Sequence, residues 1–124
     1  MDNEWGVGMP ESLYLDEFAR QLYYVFQATP YMVGSSVHKK KWRDVDIRIL
    51  LTKKEWDKFG FGKVGEEHQN GKWCAYCMAF SELGRKITGL PIDFQIQELD
   101  DANKKYQGQR NALIFKLSSD CINK

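Results

Sequence analysis

Apolar residues recur at three- and four-residue spacing through Leu15, Phe18, Ala19, Leu22, Tyr23, Val25 and Phe26, which predicts an amphipathic helix. Ser12 stands where an N-cap belongs, Asp16 and Glu17 lie close to the positive end of the dipole, and Thr29-Pro30 stops the helix. The period then shortens to two. Tyr31-Met32-Val33 reads as a short strand ended by Gly34. Asp44 to Leu51 reads as a second strand, with Val45, Ile47 and Ile49 on one face and Asp44, Asp46 and Arg48 on the other. Thr52 caps a short helix from Lys53 to Phe59. The glycine-rich stretch Gly60 to Gly65 and the polar residues up to Lys72 read as a flexible loop. They lack the lysine-serine ending and the preceding strand of a phosphate-binding loop. Trp73 to Thr88 predicts a second long helix, with Trp73, Cys77, Phe80, Ile87 and either Leu83 or Gly84 on one side, stopped by Gly89 and Pro91. Ile92 to Gln97 alternates strictly and shows Asp93, Gln95 and Gln97 on one face. Glu98 to Tyr106 reads as a short polar helix. After Gly108, the run Ala112 to Leu117 is either a closing strand or a helix. Residues 1–10, broken by Gly6, Gly8 and Pro10, read as a loosely ordered arm.

This order of elements predicts an α+β fold: a small mixed β-sheet with helices packed on one face and an open acidic cleft on the other. The chain has 124 residues, enough for a single domain spanning 1–124 with one hydrophobic core. A formal net charge of +1 argues against a general nucleic-acid coat or a membrane-surface protein. No apolar run approaches the roughly 20 residues that span a bilayer, so no membrane partner is expected. The acidic Met1-Asp2-Asn3-Glu4 does not resemble a signal peptide, and a cytoplasmic location is the expectation. Three cysteines, Cys74, Cys77 and Cys121, are an odd number and fit free thiols in a reducing compartment.

Chemistry enters with the acids. If the second and third long strands are neighbours, about 4.8 Å apart, Asp44, Asp46 and Asp93 converge on one small space. Like charges so placed raise each other's pKa unless a cation is bound. Hard oxygen donors without histidine or cysteine favour Mg²⁺ or Mn²⁺ over zinc. A pair of such ions about 3.5–4 Å apart can activate an attacking oxygen and stabilise a leaving one.

The pieces Val33-Gly34-Ser35, Asp44-Val45-Asp46 and Pro91-Ile92-Asp93-Phe94, in that order over residues 31–97, resemble the nucleotidyltransferase superfamily typified by DNA polymerase beta. The resemblance implies that Gly34 permits close approach of a triphosphate and that Ser35 bonds a phosphate oxygen. Ser36, Lys41 and Arg43 join Gly34 and Ser35 as nucleotide-binding candidates; Lys39, Lys40, Lys41 and Arg43 hold either the nucleotide or its acceptor, or are simply solvated. Asp44 and Asp46 hold the metals, and Asp93 shares the second metal and helps deprotonate an acceptor hydroxyl. The implied reaction moves a nucleoside monophosphate from a nucleoside triphosphate, ATP among them, to a hydroxyl on a protein, RNA or small molecule, and pyrophosphate leaves. Arg48 departs from what the site needs. It shares the acid face, where it either pairs with Asp46 or Asp93 or lies in the open cleft. Arg110 is a weaker auxiliary candidate for contacting phosphate.

Other readings stay beside this one. Trp73-Cys74-Ala75-Tyr76-Cys77 resembles the Trp-Cys-x-x-Cys of thioredoxin-like proteins, but no strand precedes it as a low-pKa thiol there requires. Zinc held by His68, Cys74, Cys77 and Cys121 matches no familiar finger spacing. A second class of function keeps the same scaffold without turnover, as an antitoxin-like module that binds a nucleotide or a protein. At this length no second domain is expected to recognise the acceptor. The acceptor is then gripped by the C-terminal elements, by a partner protein, or by the target itself, and a homo-oligomer stays open.

Overall fold

The computed structural model describes residues 11–34 and 44–113. Residues 1–10, the basic segment carrying Ser35, Ser36, Lys39, Lys40, Lys41 and Arg43, and the chain from 114 onward, including Cys121, lie outside the described residues. The described chain is α+β, with four α-helices and one mixed, open four-stranded sheet. In order these are α1 (Glu11–Phe26), β1 (Pro30–Val33), β2 (Val45–Leu51), α2 (Lys53–Phe59), α3 (Gly71–Thr88), β3 (Ile92–Glu98), α4 (Leu99–Lys105) and β4 (Asn111–Ala112).

The sheet runs β3-β2-β1-β4. β1 pairs antiparallel with β2 and β4, and β2 pairs parallel with β3. A parallel pair needs a long crossover, and α2, a 3₁₀ turn at Glu67–Gln69 and α3 supply it. Strict alternation in β2 and β3 puts Val45, Ile47, Ile49, Leu51, Ile92, Phe94 and Ile96 in the core, each at most 1% exposed. Leu15, Phe18, Ala19, Leu22 and Phe26 of α1 cover them, together with α3. The other sheet face stays partly open, as the two alternating strands require.

Each helix has a local cause. α2 begins in a capping box: the Glu55 amide donates to Thr52 Oγ1 and the Thr52 amide to Glu55 Oε1. α3 starts at Gly71, ahead of the predicted Trp73, because the Asn70 side chain accepts from the Trp73 amide and caps the helix early. Glu98 ends β3 and, nearly buried, caps α4 by accepting from the Asp101 amide.

Two features differ from the sequence reading. The stretch from Gly60 is anchored where a loose loop was expected. Phe61 is fully buried, its ring 5.3 Å from Phe59 and 5.3 Å from Trp56. Trp56 Nε1 donates to the Gly62 carbonyl at 2.8 Å, and Asn70 Nδ2 donates to the Gly60 carbonyl at 3.2 Å. The packed line of α3 also runs through a polar residue. Ser81 Oγ accepts from the Phe94 amide at 2.9 Å and reaches the Phe94 carbonyl at 3.4 Å. Trp73 Nε1 donates to the Ile96 carbonyl at 2.9 Å. Side chains spaced two turns apart on α3 thus bond the outer edge of β3, a place where unpaired backbone groups would otherwise face water. Among the described residues, no helix is long and apolar enough to cross a membrane.

Candidate functional site

The open sheet face is built from the ends of β1, β2 and β3. Register places Asp46 directly beside Asp93 and across from Val33, and Arg48 beside Gln95 and across from Tyr31. Because β2 and β3 run parallel in this register, Asp46 and Asp93 fall in one row on the same face of the sheet. Their side chains are 24% and 39% exposed, so both can be reached from solvent.

Arg48 lies against the pair and is only 13% exposed. Its Nη2 is 3.9 Å from Asp46 Oδ1 and 3.6 Å from Asp93 Oδ2. Its Nη1 donates to the Asp93 carbonyl at 2.8 Å and to the Ile47 carbonyl at 3.1 Å. Two backbone oxygens therefore fix the guanidinium, and from there it leans on both carboxylates. Of the two placements expected for Arg48, the structure shows the ion pair, with both acids at once.

Burial raises the Asp46 pKa above its usual value. Arg48 pulls it down, while the neighbouring Asp93 and Asp44 push it further up. Asp44 itself is exposed and sits one residue before β2. The fold thus brings Asp46 and Asp93 together and leaves Asp44 at the rim. Among the described residues, no group of three or more His, Cys, Asp or Glu side chains is placed to hold a metal ion. Asp46 and Asp93 are the two facing carboxylates that could do so with help from other oxygen donors.

Gly34 closes the site on the β1 side. Its φ of 77° is a left-handed conformation that a side chain resists. A Cβ there would also run into Asp46 Oδ2. Glycine is needed on both counts, and its backbone packs close against the Asp46 carboxylate. The Gly34 amide donates to the Tyr106 hydroxyl at 3.3 Å, and that hydroxyl donates to the Gln109 carbonyl at 2.9 Å. Tyr106 ties the glycine turn to the segment after α4, a role the sequence signalled by nothing beyond an aromatic past a helix end. Arg110 is engaged away from the acids. Nη1 donates to Asn103 Oδ1, Nη2 to the Ala102 carbonyl, and the guanidinium lies 5.3 Å from the Tyr106 ring centroid.

A cleft of about 490 Å³ opens beside Asp93, between α3 and β3, walled by Trp73, Met78, Ser81, Phe94 and Gln95. Cys77 also lines it, and burial pushes this thiol up to about 11. That shift opposes the thiolate a redox catalyst needs. Cys74 Sγ donates to the His68 carbonyl at 3.3 Å.

Compared with known protein families, curated proteins and solved structures, the chain matches no family model, no curated protein and no solved structure.

Proposed function

We propose that the chain is a minimal nucleotidyltransferase of the polymerase-beta-like type, transferring a nucleoside monophosphate from a nucleoside triphosphate to an acceptor hydroxyl. The observation that supports this reading best is the row formed by Gly34, Asp46 and Asp93: a left-handed glycine set against two carboxylates side by side on neighbouring strands.

The donor set suits Mg²⁺ or Mn²⁺. Both groups are hard oxygen donors, and Mg²⁺ is commonly held by one or two carboxylates plus substrate phosphates. Asp46 and Asp93 would hold the ion, with Asp44 at the rim as a third donor; once bound it supplies positive charge for the triphosphate. Gly34 keeps the space over Asp46 clear for phosphate oxygens. Asp93 lies on the outermost strand and borders the cleft, so it is the carboxylate placed to take the proton of an incoming hydroxyl. Arg48 offsets part of the negative charge of the two carboxylates. Within this reading, Ser35, Ser36, Lys41 and Arg43 of the segment after Gly34 contact the triphosphate.

One observation favours the second reading, a nucleotide- or protein-binding module without turnover. Arg48 already sits where positive charge is required, within 3.9 Å of both acids. Calorimetric titration with ATP, GTP, CTP and UTP, with and without Mg²⁺, tests both readings. Metal-dependent binding of at least one triphosphate is expected, and Asp46→Asn and Asp93→Asn should each abolish it. If no triphosphate binds in a metal-dependent way, the transferase reading fails. Release of pyrophosphate then separates turnover from binding alone.

A further inference from the structure

The outward face of α1 carries a pattern that the acid site does not use. Leu13, Tyr14, Tyr24 and Val25 are 59%, 51%, 59% and 46% exposed, and they sit at the two ends of the same helix. Between them lie the exposed charges Glu17 and Arg20. Along the centre of this face the order is Leu13, Glu17, Arg20, Tyr24: apolar, acid, base, apolar, with steps of four, three and four residues. Those steps keep all four side chains on one stripe.

Such a stripe reads the same from both ends once charge is exchanged. When a second copy is laid on it antiparallel, with the two-fold axis midway between Glu17 and Arg20, Leu13 meets Tyr24 of the other copy. Glu17 then meets the other copy's Arg20, and both contacts occur twice. A two-fold interface demands this property, because one patch must complement itself. Asp16 engages Arg20 Nε at 3.0 Å and holds the guanidinium on the outward face. A guanidinium carries five N–H donors, so it can take a second carboxylate alongside the first.

We propose that α1 is a homodimerisation surface, on which a second copy of this chain docks antiparallel, with Leu13 on Tyr24 and Glu17 on Arg20 across the axis. The charge complementarity about one point selects this occupant over an unrelated partner. α1 packs on the core side of the sheet, so the acid faces of both copies stay open in the pair. A single helix pair buries little area, and the association is weak and concentration-dependent.

Sedimentation velocity of the full chain across a wide concentration range tests this. Wild type should shift from monomer to dimer as concentration rises. Glu17→Arg and Arg20→Glu should each weaken the dimer by about tenfold or more, since each sets two like-charge pairs against one another. The double exchange Glu17→Arg with Arg20→Glu should restore it. Circular dichroism confirms that each variant is folded. As an independent measurement, a Leu13→Cys, Tyr24→Cys chain should form a disulfide-linked dimer under mild oxidation. Leu13→Cys alone should not, because the two Leu13 positions lie about 16 Å apart along the axis. A wild type that stays monomeric throughout overturns the proposal. So does a dimer indifferent to the charge exchanges, or a double-cysteine chain that fails to cross-link because another segment covers the face.

Discussion

Asp46 is where the molecule bears electrostatic strain. Its carboxyl group is partly buried beside Asp93, and its pKa is raised in the fold. A carboxyl group raised in this way binds protons more readily folded than unfolded, so its contribution to stability is complete below the ordinary carboxylate range. That contribution is lost as pH rises through the raised folded value. On account of this one group the protein is therefore less stable at neutral pH than below the ordinary carboxylate range. Asp46→Asn should raise the midpoint of thermal unfolding near pH 7 and flatten that part of the pH profile. A variant that melts lower at pH 7 than wild type would mark Asp46 as a structural residue. Gly34→Ala should cost at least about 1–2 kcal/mol from left-handed strain alone, and more from displacing the Asp46 carboxylate. Urea unfolding at pH 7 measures that loss. Of these residues, Gly34, Asp46 and Asp93 were legible as a pattern of type and spacing. The grip of Arg48 on two backbone carbonyls, and of Tyr106 on Gly34, was not, because each depends on strands and segments brought together from far along the chain.

At the level of elements, alternation made β2 and β3 legible, and the three-and-four periodicity made α1 and most of α3 legible, since one-sided burial imposes both patterns. Ser81 escaped that logic. A hydroxyl on a helix reads as solvent-facing until an edge strand needs its hydrogen bonds, and Ser81 is 7% exposed against β3. Ser81→Ala would leave the Phe94 amide without that partner and should cost about 1–3 kcal/mol by chemical denaturation. Gly84 shows packing overriding propensity within the same helix. Alanine is favoured over glycine in a helix by about 1 kcal/mol. A Cβ at Gly84 would nonetheless sit 2.8 Å from the Phe18 ring and 3.0 Å from Ile92. Crowding of this kind costs about 1–3 kcal/mol, so Gly84→Ala should destabilise the protein where helix propensity alone predicts a gain. A rise in its unfolding midpoint would show that α1 and β3 yield at that contact.

For the whole molecule, the sheet separates two surfaces of different composition. Alternation in β2 and β3 sends every second residue to a core capped by α1 and α3, and the others, Asp46, Arg48 and Asp93 among them, to the partly open face. The outward stripe of α1 therefore lies beyond a full layer of buried side chains from Asp46 and Asp93. Which strand would lie beside which could not be read from periodicity. It follows from the long crossover between β2 and β3, which makes that pair parallel and sets the two aspartates in one row. Distant sites without shared partners behave additively to within about 0.5 kcal/mol, or roughly twofold in affinity. Glu17→Arg should thus leave any metal-dependent triphosphate affinity within about twofold of wild type while it weakens self-association. Asp46→Asn should do the reverse. Titration calorimetry and sedimentation on the same two variants decide this. Loss of triphosphate binding in folded Glu17→Arg would mean that pairing through α1 completes the acid site, and the two surfaces would then have to be treated as one.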